Sequence, residues 1–204
     1  MQMLPIQYVF LVGDFTVAAL LVLYFVKAYK DKKIPKSYFY AFWVGCLIGA
    51  VWEFTFLFLG PDFLHAAVEW PFGLSGWPKK VSHSIWDGGV FMAGVYFCNR
   101  FLGPESRFRN WNWKEYGIMA LWGIGQELFV EYIFAGRVWV YSPLPWNPVI
   151  IPPLPGMAST IGMTLIPQAT WIIAPIVFYF LFLKLVKRFD APVPKGVSEI
   201  HPAN

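Results

Sequence analysis

Glu127 and Glu131 stand four residues apart inside an apolar stretch, residues 116–135, with Gln126 beside them. On a helix that spacing puts both carboxyls on one face. The stretch is long enough to cross a bilayer at about 1.5 Å rise per residue. A charge near the bilayer centre is expensive, so two acids on one face point to a protein interior with partners from other helices. Asp14, Glu53 and Asp87 lie in three other apolar stretches, and His83 precedes Asp87 by one helical turn. Five carboxyls cannot all ionise in a low-dielectric interior, so some should stay protonated. A neutral carboxylic acid beside an ionised one is what general acid–base chemistry requires. Glu127 or Asp87 is the candidate proton donor, Glu53 the acceptor, and His83 a further proton carrier. Glu127 lies deepest and has no basic residue within a turn, so it is the expected neutral donor. Glu131, nearer Arg137, is the expected ionised partner. Glu131, Gln126, Gln168, Trp171, Trp52, Trp86 and Trp122 are the candidate substrate contacts, with ring faces suited to a carbocation.

The same groups could instead hold a metal, since His83 and Asp87 resemble a ligand pair that Glu53 and Glu127 would complete. A single histidine in these stretches weighs against that, and neither a metal nor a cofactor is expected. Ordinary uses also exist. Asp14 and His83 suit an interface, and Gln126 suits a hydrogen bond between helices. Asp87 precedes Gly88-Gly89, which would allow close helix approach. Trp171, between Pro167 and Pro175, suits packing, and Gln168 suits a carbonyl freed by those prolines.

What favours a site over these uses is depth, and depth follows from the spans. The chain is 57% hydrophobic and 14% charged, a membrane composition that leaves no room for a sizeable soluble domain. Five spans are expected, at about residues 6–26, 38–59, 81–102, 116–135 and 157–186, followed by a polar tail, 190–204. The fold class is thus an all-α, multi-pass integral membrane protein, a single domain over 1–204 built as a five-helix bundle. The N-terminus lacks a signal-peptide cleavage pattern, so the first helix is expected to stay.

Lys27, Lys30, Lys32, Lys33 and Lys36 follow span one, Arg100, Arg107, Arg109 and Lys114 follow span three, and the tail carries Lys184, Lys187, Arg188 and Lys195. The opposite links carry only Lys79, Lys80 and Arg137. The positive-inside rule therefore puts the N-terminus outside and the C-terminus in the cytoplasm. In that orientation every intramembrane acid falls in the outer half or near the midplane, which unrelated polar accidents would not do. The basic residues serve topology, so no nucleic-acid partner is expected. Cys46 and Cys98 lack metal-ligand spacing. The two outer links, 60–78 and 137–156, are rich in Trp and Pro, and read equally as an interfacial cap or a substrate lid.

An acid in spans two, three and four, Gly125-Gln126 in span four, and Gln168-Ala-Thr-Trp171 before Pro175 in span five resemble the emopamil-binding protein family of the EXPERA superfamily. In its sterol isomerase a Gly-Gln precedes an acid in span four, and an Asn-x-x-Trp precedes a proline in span five. The resemblance implies that Glu53 and Asp87 match the acids of spans two and three, and that Gln168 and Trp171 match the span-five pair. The isomerase carries a histidine one turn before its span-two acid. Here Gly49 stands there, so proton transfer would fall to His83. The chain is similar in the same way to the integral-membrane terpene cyclases.

The expected function is an isomerase or cyclase-type lyase acting by acid–base chemistry on an isoprenoid- or steroid-like lipophile in an outer-leaflet pocket. The alternatives are a lipophile-binding or accessory subunit, or a metal-binding membrane oxidoreductase. The expected partners are the bilayer and that lipophile, with self-association left open.

Overall fold

The computed structural model describes residues 3–190. The rest of the expected polar tail, residues 191–204, lies outside the described residues. Five helices form: α1 Pro5–Lys30, α2 Lys36–Leu59, α3 Trp77–Leu102, α4 Trp113–Phe134 and α5 Leu165–Phe189. Of these, α1, α2 and α5 are long and apolar enough to cross a membrane. Their ends follow local chemistry. Pro5 and Pro78 open α1 and α3, where the missing N–H costs nothing. The Asn112 side chain accepts from Lys114 N–H at 2.9 Å and caps α4. Lys27 and Lys30, Arg100, and Lys187 and Arg188 occupy last turns, where the helix dipole favours cations.

The fifth helix begins later than the sequence suggests. Residues 157–164 are loop and strand, not helix. Gly156 (φ +87°) and Gly162 (φ +95°) sit in the left-handed region, which a right-handed helix cannot include. Gly162 also presses against the carbonyl of Ile151, where a side chain would not fit. Two short ribbons, absent from the all-α expectation, form outside the helices. β1 (Leu64–Ala66) pairs antiparallel with β2 (Trp139–Tyr141), with His65 opposite Val140. β3 (Val149–Ile151) pairs with β4 (Met163–Thr164). The β1–β2 ribbon binds the two long links to one another and gives their main-chain groups partners that a bare loop would lack.

Helix α3 is the hub, with α1, α2 and α4 against it, and α5 closes from α2 to α4. The α2–α3 crossing is tight because Gly45 faces Gly88. A Cβ on Gly45 would lie 2.9 Å from Gly88 Cα, and one on Gly88 would lie 2.8 Å from the Phe42 carbonyl. Small residues at such a crossing let backbones approach and gain packing over a long contact. At the α4–α5 crossing, Gly123 accepts Pro175 and Trp171 in the same way. The half of the bundle nearest the basic loops is packed with rings. Phe42, Phe178, Tyr179 and Phe182 are fully buried, and Phe91 stacks on Phe178 at 4.6 Å. The other half, beneath the β1–β2 ribbon, is hollow.

Candidate functional site

The hollow is a cavity of about 370 Å³ walled by all five helices and by the ribbon. That is the size of a small-molecule site. Its wall includes Glu53, Asp87, Glu127, Glu131, His83, Gln126, Trp52, Trp86 and Trp171, together with Asp14. Trp122 and Gln168 lie off the wall. The Trp122 indole instead donates to the Val90 carbonyl at 2.9 Å and rests on Phe97, fastening α4 to α3. Gln168 is buried and its Nε2 finds no partner, so it does not satisfy a proline-freed carbonyl.

The sequence leaves His83 and Arg137 as the only bases near the acids, and the structure corrects this. Lys79 and Lys80 sit in the first turn of α3 and are 5% and 6% exposed, not loop residues marking topology. Because α3 starts at Trp77, Lys80, His83 and Asp87 fall one turn apart on the face that crosses α2. The close crossing then brings Lys80 Nζ to 2.8 Å from Glu53 Oε2. His83 bridges two acids, with Nδ1 3.5 Å from Glu53 Oε1 and Nε2 3.3 Å from Asp14 Oδ1. The Ser82 hydroxyl donates to Asp14, and the Trp86 indole donates to the Asp14 carbonyl at 2.9 Å. Arg137 is turned away. Its guanidinium donates to the Ile133 carbonyl and forms no ion pair with Glu131. Glu131 accepts instead from the Trp139 indole at 3.1 Å.

Lys79 has a different surrounding. Its Nζ lies 4.9 Å from the rings of Trp70 and Trp139 and 5.6 Å from Phe10, a three-sided aromatic cage. Such rings stabilise a desolvated ammonium by about 2 kcal/mol.

Asp87 and Glu127 lack any such compensation. Both are buried, and among the described residues neither has an ion-pair partner. Asp87 Oδ2 is sealed from solvent with no hydrogen bond, and Glu127 makes none among the described residues. The Asp87 carboxyl fills the space above Gly49, where a Cβ would lie 2.5 Å from Oδ2. The absent side chain at Gly49 is what makes room for Asp87 here. Trp52 and Trp171 meet edge to face at 5.6 Å and present rings to the cavity.

Tyr141, on β2, also faces the cavity. Burial first, and then the charges of Glu131, Glu53, Glu127 and Asp87, hold its phenol well above the ordinary 10.0. Sequence reasoning missed Tyr141 and the lysines as members of the site. The Lys80–His83–Asp87 spacing carries a signal for the lysine. Nothing local marks Tyr141, because its place depends on the ribbon pairing. Among the described residues no three His, Cys, Asp or Glu side chains converge as metal ligands, and Lys80 holds the position a cation would take beside Glu53.

Comparison with protein-family models, curated proteins and solved structures finds no match to this chain.

Proposed function

We propose that the chain is a five-span integral membrane enzyme that protonates an alkene or epoxide of an isoprenoid- or steroid-like lipophile and removes a proton elsewhere. The observation that carries the reading is the division of acids around one aromatic-walled cavity. Glu53 is ion-paired with Lys80 and shares His83 with Asp14, whereas Asp87 and Glu127 form no ion pair among the described residues. The unpaired acids are poised as neutral donors, and the paired carboxylate Glu53 is the acceptor. The donor O–H breaks as a new C–H bond forms on an alkene, or as an O–H bond forms and the ring C–O bond opens in an epoxide, leaving a carbocation beside the Trp52 and Trp171 rings. Loss of a neighbouring proton to Glu53 forms the new double bond and leaves Glu53 neutral. Return of that proton to the donor closes the cycle with no net oxidation. The chemistry is that of the sterol isomerases and membrane terpene cyclases which the sequence resembles.

The membrane reading extends from α1, α2 and α5 to all five helices. On α3 and α4 it is supported by Tyr96, Phe101, Leu121 and Phe129, large apolar side chains that project outward. Lys79 and Lys80 are buried and paired or caged, so the exposed cations are still more one-sided than the sequence count suggests. This supports a cytoplasmic C-terminus, which a C-terminal reporter tests; a reporter active only outside overturns it.

The test of the chemistry is a panel of isoprenoid and steroid alkenes and epoxides incubated with wild-type and Glu127→Gln protein. Product should form with wild type and fall by about 10²–10⁴-fold in the variant, as for loss of a general acid, with the elution profile unchanged. A fully active variant sinks the proposal. A second reading, a lipophile-binding subunit without turnover, is favoured by the Lys80–Glu53 pair, since a structural ion pair accounts for Glu53 without chemistry. Tight retention of one lipophile with no product from any panel member would select it.

A further inference from the structure

We infer that the cavity is loaded sideways from the bilayer, through an opening between α1 and α4 that admits a single linear apolar chain. This rests on the membrane reading above and adds the route and the shape of the substrate. Helices α1 and α4 both pack on α3, yet they share no interface comparable with the others. They meet at the ribbon end, where Phe10 lies edge-on to Phe134 at 4.6 Å. Val9 and Gly13 on α1, Trp86 and Val90 on α3, and Gln126 and Val130 on α4 flank that contact, and all six line the cavity.

Two observations place the mouth here. Val9 is 66% exposed and Trp86 is 37% exposed, although both belong to the cavity wall. A side chain that is at once cavity wall and outer surface marks where one opens into the other. Gly13 gives the second observation, because a Cβ built on it meets nothing within 4 Å. The space at that level is empty rather than packed.

The rim selects for hydrocarbon. Its valines and the Trp86 ring offer no charge, and the Gln126 amide is turned back to the Gly123 carbonyl at 3.1 Å. The Trp86 indole is fixed by its bond to the Asp14 carbonyl, so it forms a rigid sill rather than a swinging flap. Asp87 and Glu127 directly follow the sill residues Trp86 and Gln126 in the chain and are buried. A chain sliding in over Trp86 therefore passes from lipid to the unpaired acids without crossing water, which suits an alkene carried on an isoprenoid tail.

The test uses farnesol, a linear isoprenoid alcohol, as probe and full-length protein in nanodiscs. Gly13→Trp places an indole in the mouth, and Gly117→Trp is the control. Gly117 also meets nothing within 4 Å of a built Cβ, but it lies off the cavity. A barrier on a path slows exit whatever it does to the equilibrium. Farnesol release, read as a rate independent of occupancy, should slow roughly tenfold in Gly13→Trp, with Gly117→Trp behaving as wild type. Equal release rates in all three proteins, or a wild type that retains no farnesol, would each overturn the route. The chemistry fails separately. Wild type that loads through this mouth but makes no product loses the acid–base reading and keeps the route, and active protein indifferent to Gly13→Trp does the reverse.

Discussion

Towards α1, Asp14 and Glu53 share His83, and Glu53 also pairs with Lys80, so each buried carboxyl has a basic side chain within 3.5 Å. Towards α4, Asp87 and Glu127 line the same cavity but form no ion pair among the described residues, and Asp87 Oδ2 makes no hydrogen bond there. The two regions are built from the same residue types around one cavity, and they differ in what the α2–α3 crossing delivers. One is a closed set of charges that ties three helices together. The other holds acids whose charge would be uncompensated, which costs stability unless they are neutral. Buried groups kept at such cost are where function is expected.

The comparison breaks most visibly if Lys80 is removed. Lys80→Met strands Glu53 in the interior and should lower stability by about 3–5 kcal/mol, read as a loss of the folded, monodisperse protein on thermal challenge. Adding Glu53→Gln to Lys80→Met should recover most of that loss, because the double variant leaves no orphan charge. No recovery would mean that Lys80 matters for packing and not for pairing.

Gly49→Ala probes the other region. A methyl there meets the Asp87 carboxyl, with Oδ2 at 2.5 Å and Cβ at 2.6 Å, so Asp87 must move. The expected cost is about 1–3 kcal/mol in thermal stability, accompanied by lost turnover on any substrate of the wild type. A Gly49→Ala variant of full stability and activity would show that Asp87 is not held where the structure has it.

Glu127→Gln should behave oppositely to Lys80→Met. It removes no partner, so thermal stability should stay within about 0.5 kcal/mol or rise. Infrared difference spectra should lose a protonated-carboxyl band that wild type shows at neutral pH. Strong destabilisation, or no such band in wild type, would place Glu127 among the compensated acids.

Tyr141 gives the smallest effect and a sign that can be checked. Its phenol is held above the ordinary 10.0, so the folded state binds the proton more tightly than the unfolded chain. That contribution is complete below 10.0 and disappears as pH rises through the folded-state value. Wild-type stability should therefore fall with alkalinity above 10.0 more steeply than that of Tyr141→Phe. Parallel curves would mean that the phenol is solvated.

Much of this is legible in the chain. The five helices and the gathering of the acids in one interior follow from apolar periodicity and from the cost of leaving charge among apolar groups, which act on any sequence locally. Hydropathy misplaces the start of α5 because the run from residue 157 onward is apolar, and it does not register the left-handed glycines that break the helix. Lys79 and Lys80 mislead for a related reason. A lysine beside a Trp-Pro at a helix start looks like an interfacial charge until the opposite helix supplies a carboxylate.

By itself, then, the sequence determined which segments are helical and apolar, and that the buried acids would share one half of the bundle. Those properties depend on residues close in the chain and on the surrounding medium. Which acids are paired was decided only in three dimensions. The Gly45–Gly88 crossing sets how near α2 comes to α3, and that distance gives Glu53 its lysine while leaving Asp87 over Gly49 without one. The roof of the cavity is likewise tertiary, since β1 and β2 are far apart in the chain and acquire their hydrogen bonds only from each other.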